Sequence, residues 1–244
     1  MRFDSDGISI AYDLLGPDDG IPTILLHGFA SDFRLNWEGS RWIETLVKAG
    51  RLVVGLDQRG HGRSDKPHEV EAYLEDRMVE DVVRLLDGLQ IGEADLLGYS
   101  MGGRLSLRMA ATLPDRIGKV VVGGVGLSGG VSSAEAIAAR LRGESGPGDL
   151  VADTFYQFAA ARPTNDLEAL AACILGLARS EPLDPGRVRK PLLIVNGERD
   201  ELAPGGAELA QRFAEARFVE LSGRDHMSAV TDRRFKDAAL AFFA

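Results

Sequence analysis

Ser100 stands in the run Leu96-Leu97-Gly98-Tyr99-Ser100-Met101-Gly102-Gly103, where an apolar stretch turns directly into a segment of helical period. A serine on so tight a strand-to-helix turn needs glycine two residues before and after it, and the turn lifts its hydroxyl clear of the sheet. The following helix would aim its free N–H groups and positive dipole end at negative charge developing there. A serine hydroxyl is a poor nucleophile near neutrality. It needs a base, and the base needs an acid to orient it.

Four histidines are available for the base: His27, His61, His68 and His226. His226 follows the last strand-like run within Ser222-Gly223-Arg224-Asp225-His226, so its loop opens at the same carboxyl edge as Ser100. For the acid, Leu192–Val195 runs into Asn196-Gly197-Glu198-Arg199-Asp200, which makes Asp200 the candidate. The loop after Val122 offers no carboxylate before Glu135. Asp225 adjoins His226, and because neighbouring side chains usually diverge it reads as a turn residue.

Other residues of reactive type read more plainly. His27 and His61 lie in glycine-flanked loops, where an imidazole can bond the backbone and hold loop shape. Arg59, Arg63 and Asp65 read as a loop-bracing or solvated charge cluster. Arg104 reads as a helix-flank residue, with a substrate carboxylate as its other use. Trp37 and Trp42 read as core. Phe155, Tyr156 and Phe158 share one helix, facing either its own core or a pocket. The histidines lack metal-ligand spacing and there is one cysteine, so no metal is expected.

These side chains need a scaffold. Residues 2–6 and 8–15 alternate as a hairpin about Asp6-Gly7, a pair suited to positive φ. Strand-like runs over Thr23–Leu26, Leu52–Leu56, Ala94–Leu97, Lys119–Val122, Leu192–Val195 and Phe218–Leu221 then alternate with helical segments near 40–49, 73–90, 101–113, 206–215 and 231–243. Such alternation implies an α/β fold, a mostly parallel sheet with helices on both faces. From 128 to 187 the alternation stops, and helical pattern is punctuated by Gly143, Gly146-Pro147-Gly148, Pro163 and Pro182. This reads as a helical cap inserted into a core of residues 1–127 and 188–244, above the carboxyl edge where open α/β sheets place ligands. Gly124-Val125-Gly126-Leu127-Ser128-Gly129 formally fits a dinucleotide fingerprint, but the next helical pattern starts only near Ser133, so no cofactor is expected.

The order Ser100, Asp200, His226, with His27-Gly28-Phe29 and Asp57-Gln58-Arg59-Gly60-His61-Gly62-Arg63-Ser64 after the first two parallel strands, resembles the α/β-hydrolase fold superfamily over almost the whole chain. The resemblance implies an oxyanion hole built from the Phe29 and Met101 backbone N–H groups, with both side chains walling the acyl pocket. It implies a cofactor-independent serine hydrolase of small carboxylic esters, of the carboxylesterase kind. Gly98–Arg104 is also similar to the nucleophile segment of the C–C-eliminating synthase of menaquinone biosynthesis. Enol-lactone hydrolases and cofactor-free perhydrolases share the pattern, whereas dehalogenases and epoxide hydrolases would require aspartate at position 100. A small-molecule binding module on the same fold is the non-enzymatic alternative.

Composition agrees with a globular chain: 244 residues, 45% apolar and 27% charged, enough to bury a full core without a staple. A formal charge of −9 disfavours binding to nucleic acid, leaving a small-molecule partner as the expectation. The N-terminus lacks the pattern of a secretory signal and no window is apolar enough to span a membrane. With Cys173 unpaired, a cytoplasmic location is expected. Oligomeric state is left open.

Overall fold

The computed structural model describes residues 1–127 and 133–244. Its centre is an eight-stranded sheet: β1 (Arg2–Ser5), β2 (Ile8–Leu15), β3 (Ile21–Leu26), β4 (Arg51–Leu56), β5 (Ala94–Tyr99), β6 (Ile117–Gly123), β7 (Leu192–Gly197) and β8 (Ala216–Leu221), in spatial order β1-β2-β4-β3-β5-β6-β7-β8. The pairings of β1 with β2 and of β2 with β4 are antiparallel, and all others are parallel. The first hairpin turns on Asp6 and Gly7 at φ 57° and 80°, the two positive values that the right-handed strand twist favours.

Parallel strands buried on both faces read as continuous apolar runs, and successive side chains divide between two cores. Leu96 joins Ile24, Leu26, Val120 and Val122 on one face, where α2 (Glu75–Gly88) and α3 (Met101–Thr112) pack. Its neighbour Leu97 joins Leu25, Val53 and Val121 on the other, against α1 (Trp42–Lys48) and, near the carboxyl end of the chain, the helix Arg233–Phe243. Trp37, Trp42 and Phe235 are fully buried in this second core, and the Trp42 indole N–H donates to the Val230 carbonyl at 2.7 Å.

Among the described residues, three α-helices lie between β6 and β7: α4 (Ala134–Leu141), α5 (Leu150–Ala160) and α6 (Leu167–Arg179). Asp149 and Asp166 cap α5 and α6 by accepting the first free N–H groups. These helices pack over the carboxyl edge of the sheet, Phe155 against Phe29 with ring centroids 5.5 Å apart and Cys173 Sγ 3.9 Å from Met101 Sδ. The α3 helix is also tied to the end of this segment. Buried Glu75 receives Arg104 and Arg108, whose other nitrogens reach the carbonyls of Leu177 and Glu181.

The remaining α-helices of the described residues are α7 (Gly206–Ala210), α8 (His226–Ala229) and α9 (Arg233–Phe243). Here the structure differs from the sequence periodicity. The pattern near 206–215 yields a single helix of five residues ending at Ala210, followed by turns. A separate one-turn helix opens at His226, ahead of the final helix, because Asp225 supplies a complete capping box with Ser228. A π-helical turn over Arg34–Glu38 carries Trp37, which no periodic pattern marks at that length.

Candidate active site

Ser100 sits between β5 and α3 with φ 53° and ψ −114°, a strained region for a residue with a Cβ. Its N–H donates to the Gly123 carbonyl on neighbouring β6 at 2.8 Å. A Cβ on Gly98 would strike the Gly102 carbonyl and the Ser106 hydroxyl, and one on Gly102 would strike the Leu26 carbonyl. The glycine spacing therefore follows from packing on both sides of the turn.

His226 is the first residue of α8, and its Nδ1 lies 2.9 Å from each carboxylate oxygen of Asp200. Asp200 leaves β7 in a turn that directs the Leu202 and Ala203 N–H groups onto Oδ1 at 3.1 and 3.0 Å. Its side chain is 1% exposed and that of His226 12%, so the pair is shielded while one imidazole edge stays reachable. Asp225, the competing acid, is spent on the α8 cap, accepting the Met227 and Ser228 N–H groups.

Tyr99 and Gly124 set the place of His226 relative to the turn that bears Ser100. The Tyr99 hydroxyl donates to the His226 backbone carbonyl at 2.5 Å, and the two rings lie 5.3 Å apart. Burial raises the tyrosine pKa well above its usual value, so the hydroxyl stays a donor. Gly124, at φ 65°, leaves the space that the imidazole occupies, since a Cβ there would be 2.8 Å from His226 Cε1. The ring of His226 makes its hydrogen bonds with Asp200 alone, and none links it to Ser100 Oγ among the described residues. Such contacts commonly tighten only when substrate is bound.

The chain after β3 crosses over the serine, and a Cβ on Gly28 would stand 3.5 Å from Ser100 Cβ. Asn36 Oδ1 accepts the Gly28 N–H at 3.0 Å, and Ser31 N–H closes a turn on the Gly28 carbonyl at 3.3 Å. Among the described residues, neither the Phe29 nor the Met101 backbone N–H has an acceptor. Both side chains are nearly buried beneath α5 and α6.

The other reactive residues are structural. His27 Nδ1 bonds the Gly28 carbonyl at 2.8 Å and Nε2 accepts the Gln58 N–H at 3.0 Å, while His61 Nδ1 meets the Arg59 carbonyl at 2.9 Å. Burial lowers the pKa of both, that of His61 to about 3. Arg59 forms a buried two-point ion pair with Asp81 at 2.6 and 2.7 Å, and Arg63 bridges Asp57 and Asp13. Arg104 is committed to Glu75 rather than presented to a ligand. Tyr156 lies under the Arg140 guanidinium. Ser128 and Gly129 of the glycine-rich run lie outside the described residues. No group of three or more His, Cys, Asp or Glu among the described residues is placed to hold a metal ion, and no described helix is long and apolar enough to cross a membrane.

Sequence reasoning missed Tyr99, Asn36 and Asn196. Asn196 accepts the Val125 N–H and donates to the Val125 carbonyl, holding the chain beyond β6. The partners of Tyr99 and Asn196 are distant in sequence, whereas Asn36 bonds Gly28 eight residues away, and only Asn196 carries a signal, an amide just after an apolar run.

Comparison with known proteins identifies the family of this fold. The model of the alpha/beta hydrolase fold matches residues 22–134. A monoacylglycerol lipase of Mycolicibacterium smegmatis is 31% identical over 239 residues, covering 85% of this chain and 81% of that protein. A putative 2-succinyl-6-hydroxy-2,4-cyclohexadiene-1-carboxylate synthase of Bacillus subtilis is 33% identical over 118 residues, 48% of this chain. The match spans 41% of the length of that synthase, and 40% of another Bacillus subtilis relative. Among solved structures, a hydrolase from Pseudomonas aeruginosa superposes with a TM-score of 0.83 at 26% identity, covering 100% of this chain and 98% of that one. With its mostly parallel sheet, its order of elements and these relatives, the chain belongs to the alpha/beta hydrolase fold family.

Proposed function

We propose that the chain is a cofactor-independent serine hydrolase of small carboxylic esters. The observation that carries this is the buried Asp200–His226 pair, joined through the Tyr99 hydroxyl to the strained turn that bears Ser100. Ser100 Oγ attacks the ester carbonyl while His226 Nε2 takes its proton. Asp200 fixes the tautomer with Nδ1 protonated and stabilises the imidazolium that forms. The tetrahedral oxyanion is received by the Phe29 and Met101 N–H groups, which have no acceptor among the described residues. His226 then donates its proton to the leaving alcohol. In the second half-reaction it activates water against the acyl-enzyme.

The segment 128–187 serves as a cap on a core of residues 1–127 and 188–244. Phe155 and Cys173 from this segment close over Phe29 and Met101, which favours a small acyl group over a long polymer. Likeness to the Bacillus subtilis synthase supports a second reading, C–C elimination at the same serine and histidine. Against it stands Arg104, the arginine nearest the nucleophile in sequence, whose guanidinium already serves Glu75 and the Leu177 carbonyl.

The test is hydrolysis of a short to medium p-nitrophenyl ester series by the wild type and by folded Ser100→Ala. Activity that declines with acyl length and vanishes in the variant is the expected result. Equal rates in both overturn Ser100 as nucleophile. Absence of ester turnover together with elimination of pyruvate from the synthase's substrate would favour the second reading.

A further inference from the structure

The turn that presents Phe29 is built on an unfavourable residue. Ser31 N–H closes it on the Gly28 carbonyl, and Ala30, not Phe29, has positive φ, at 55°. That is the pattern of a type II turn, whose third residue is normally glycine or asparagine because a Cβ is strained there. Alanine adopts such a conformation only where the surroundings over-determine it. Ala30 is also completely buried, so its carbonyl needs a partner within the protein.

Those surroundings come from the connection between α5 and α6. The Asn165 side-chain amide donates to the Ala30 carbonyl at 3.1 Å and to the Ala159 carbonyl, near the end of α5, at 3.0 Å. One amide therefore joins the last turn of α5 to the strained residue. Three residues earlier, Arg162 forms an ion pair with Asp32, whose other oxygen accepts the Leu35 N–H at 2.8 Å. The contacts close both sides of the same turn, and neither residue touches Ser100, Asp200 or His226 through a hydrogen bond.

We infer that Asn165, assisted by Arg162, is a positioning residue that holds the Phe29 N–H on the developing oxyanion through Ala30. The inference rests on the serine-hydrolase reading and adds to it that half of the oxyanion site is held from the segment between β6 and β7. It also makes that segment's packing a determinant of turnover and not only of substrate fit.

The experiment compares wild type, Ser100→Ala, Asn165→Ala and the double variant Ala30→Gly/Asn165→Ala with p-nitrophenyl acetate, and measures inhibition by phenylboronic acid, which forms a tetrahedral anion on the serine. Asn165→Ala is expected to lose about 10- to 100-fold in kcat, the scale of a small misplacement, with KM within about twofold. Boronate affinity should fall with kcat, and Ala30→Gly should restore part of both, because glycine adopts the turn without a clamp. A purely structural role would instead lower the folded fraction and leave kcat per active site unchanged. Folded Asn165→Ala with wild-type kcat, or a kcat loss with unchanged boronate affinity, overturns the inference and leaves the hydrolase reading intact. Wild type no faster than Ser100→Ala overturns both. Should Asn165→Ala fail to fold, Arg162→Gln loosens the same turn and is judged by the same two readouts.

Discussion

The hydroxyl of Tyr99, the residue immediately before Ser100, donates to the backbone carbonyl of His226, 127 positions away in sequence. The turn that carries Ser100 and the loop that carries His226 are thereby joined by a direct hydrogen bond. A shift of one is passed to the other. Removing only the hydroxyl, Tyr99→Phe, leaves a partly buried carbonyl without this donor and should lower stability by about 1–3 kcal/mol in urea denaturation. It should also lower kcat with KM unchanged. Wild-type values of stability and kcat would show that the bond does not couple the two loops.

Asp200 holds His226 through Nδ1, so Asp200→Asn should preserve the fold but favour the wrong imidazole tautomer. By analogy with the same change in a studied protease, ester turnover should fall by about 10⁴-fold. Thermal denaturation reports the fold and p-nitrophenyl ester kinetics the loss. A variant within about tenfold of wild type would remove Asp200 from its role.

Gly102 and Gly88 make opposite predictions for the same substitution. A Cβ at Gly102 runs into the Leu26 carbonyl of a central strand, so Gly102→Ala should cost about 1–3 kcal/mol or more. Gly88 ends α2 with open space around it, and Gly88→Ala should stabilise by about 0.5–1 kcal/mol. Urea midpoints of the two variants decide the matter, and equal effects would contradict the packing argument.

His61 is fully buried, and that burial lowers its pKa from 6.5 to about 3. Between these values the unfolded chain binds a proton that the folded chain refuses. Stability therefore falls as pH drops from 6.5 towards 3, at up to about 1.4 kcal/mol per pH unit from this residue. His27 shifts in the same direction and steepens the fall. His61→Gln should flatten the pH dependence of unfolding free energy, and an unchanged slope would show that His61 titrates normally in the fold.

That Ser100, Asp200 and His226 lie beyond the carboxyl ends of strands was legible because each follows an apolar strand-like run, and parallel strands bring all their carboxyl ends to one edge. The glycines around Ser100 were legible because steric exclusion at a tight turn acts over a few residues. Local sequence likewise determined the hairpin at Asp6-Gly7 and the α/β alternation, since period and turn chemistry are near-neighbour effects. The sequence could not determine the partners of Tyr99, Asn165 or Arg162, nor the commitment of Arg104 to Glu75. Hydrogen bonds and ion pairs between side chains dozens of positions apart depend on which loops and helices meet over the sheet edge, and only tertiary packing decides that. The same holds for Ala30: its type favours no turn, yet it has positive φ, and its carbonyl accepts the amide of Asn165, 135 positions away.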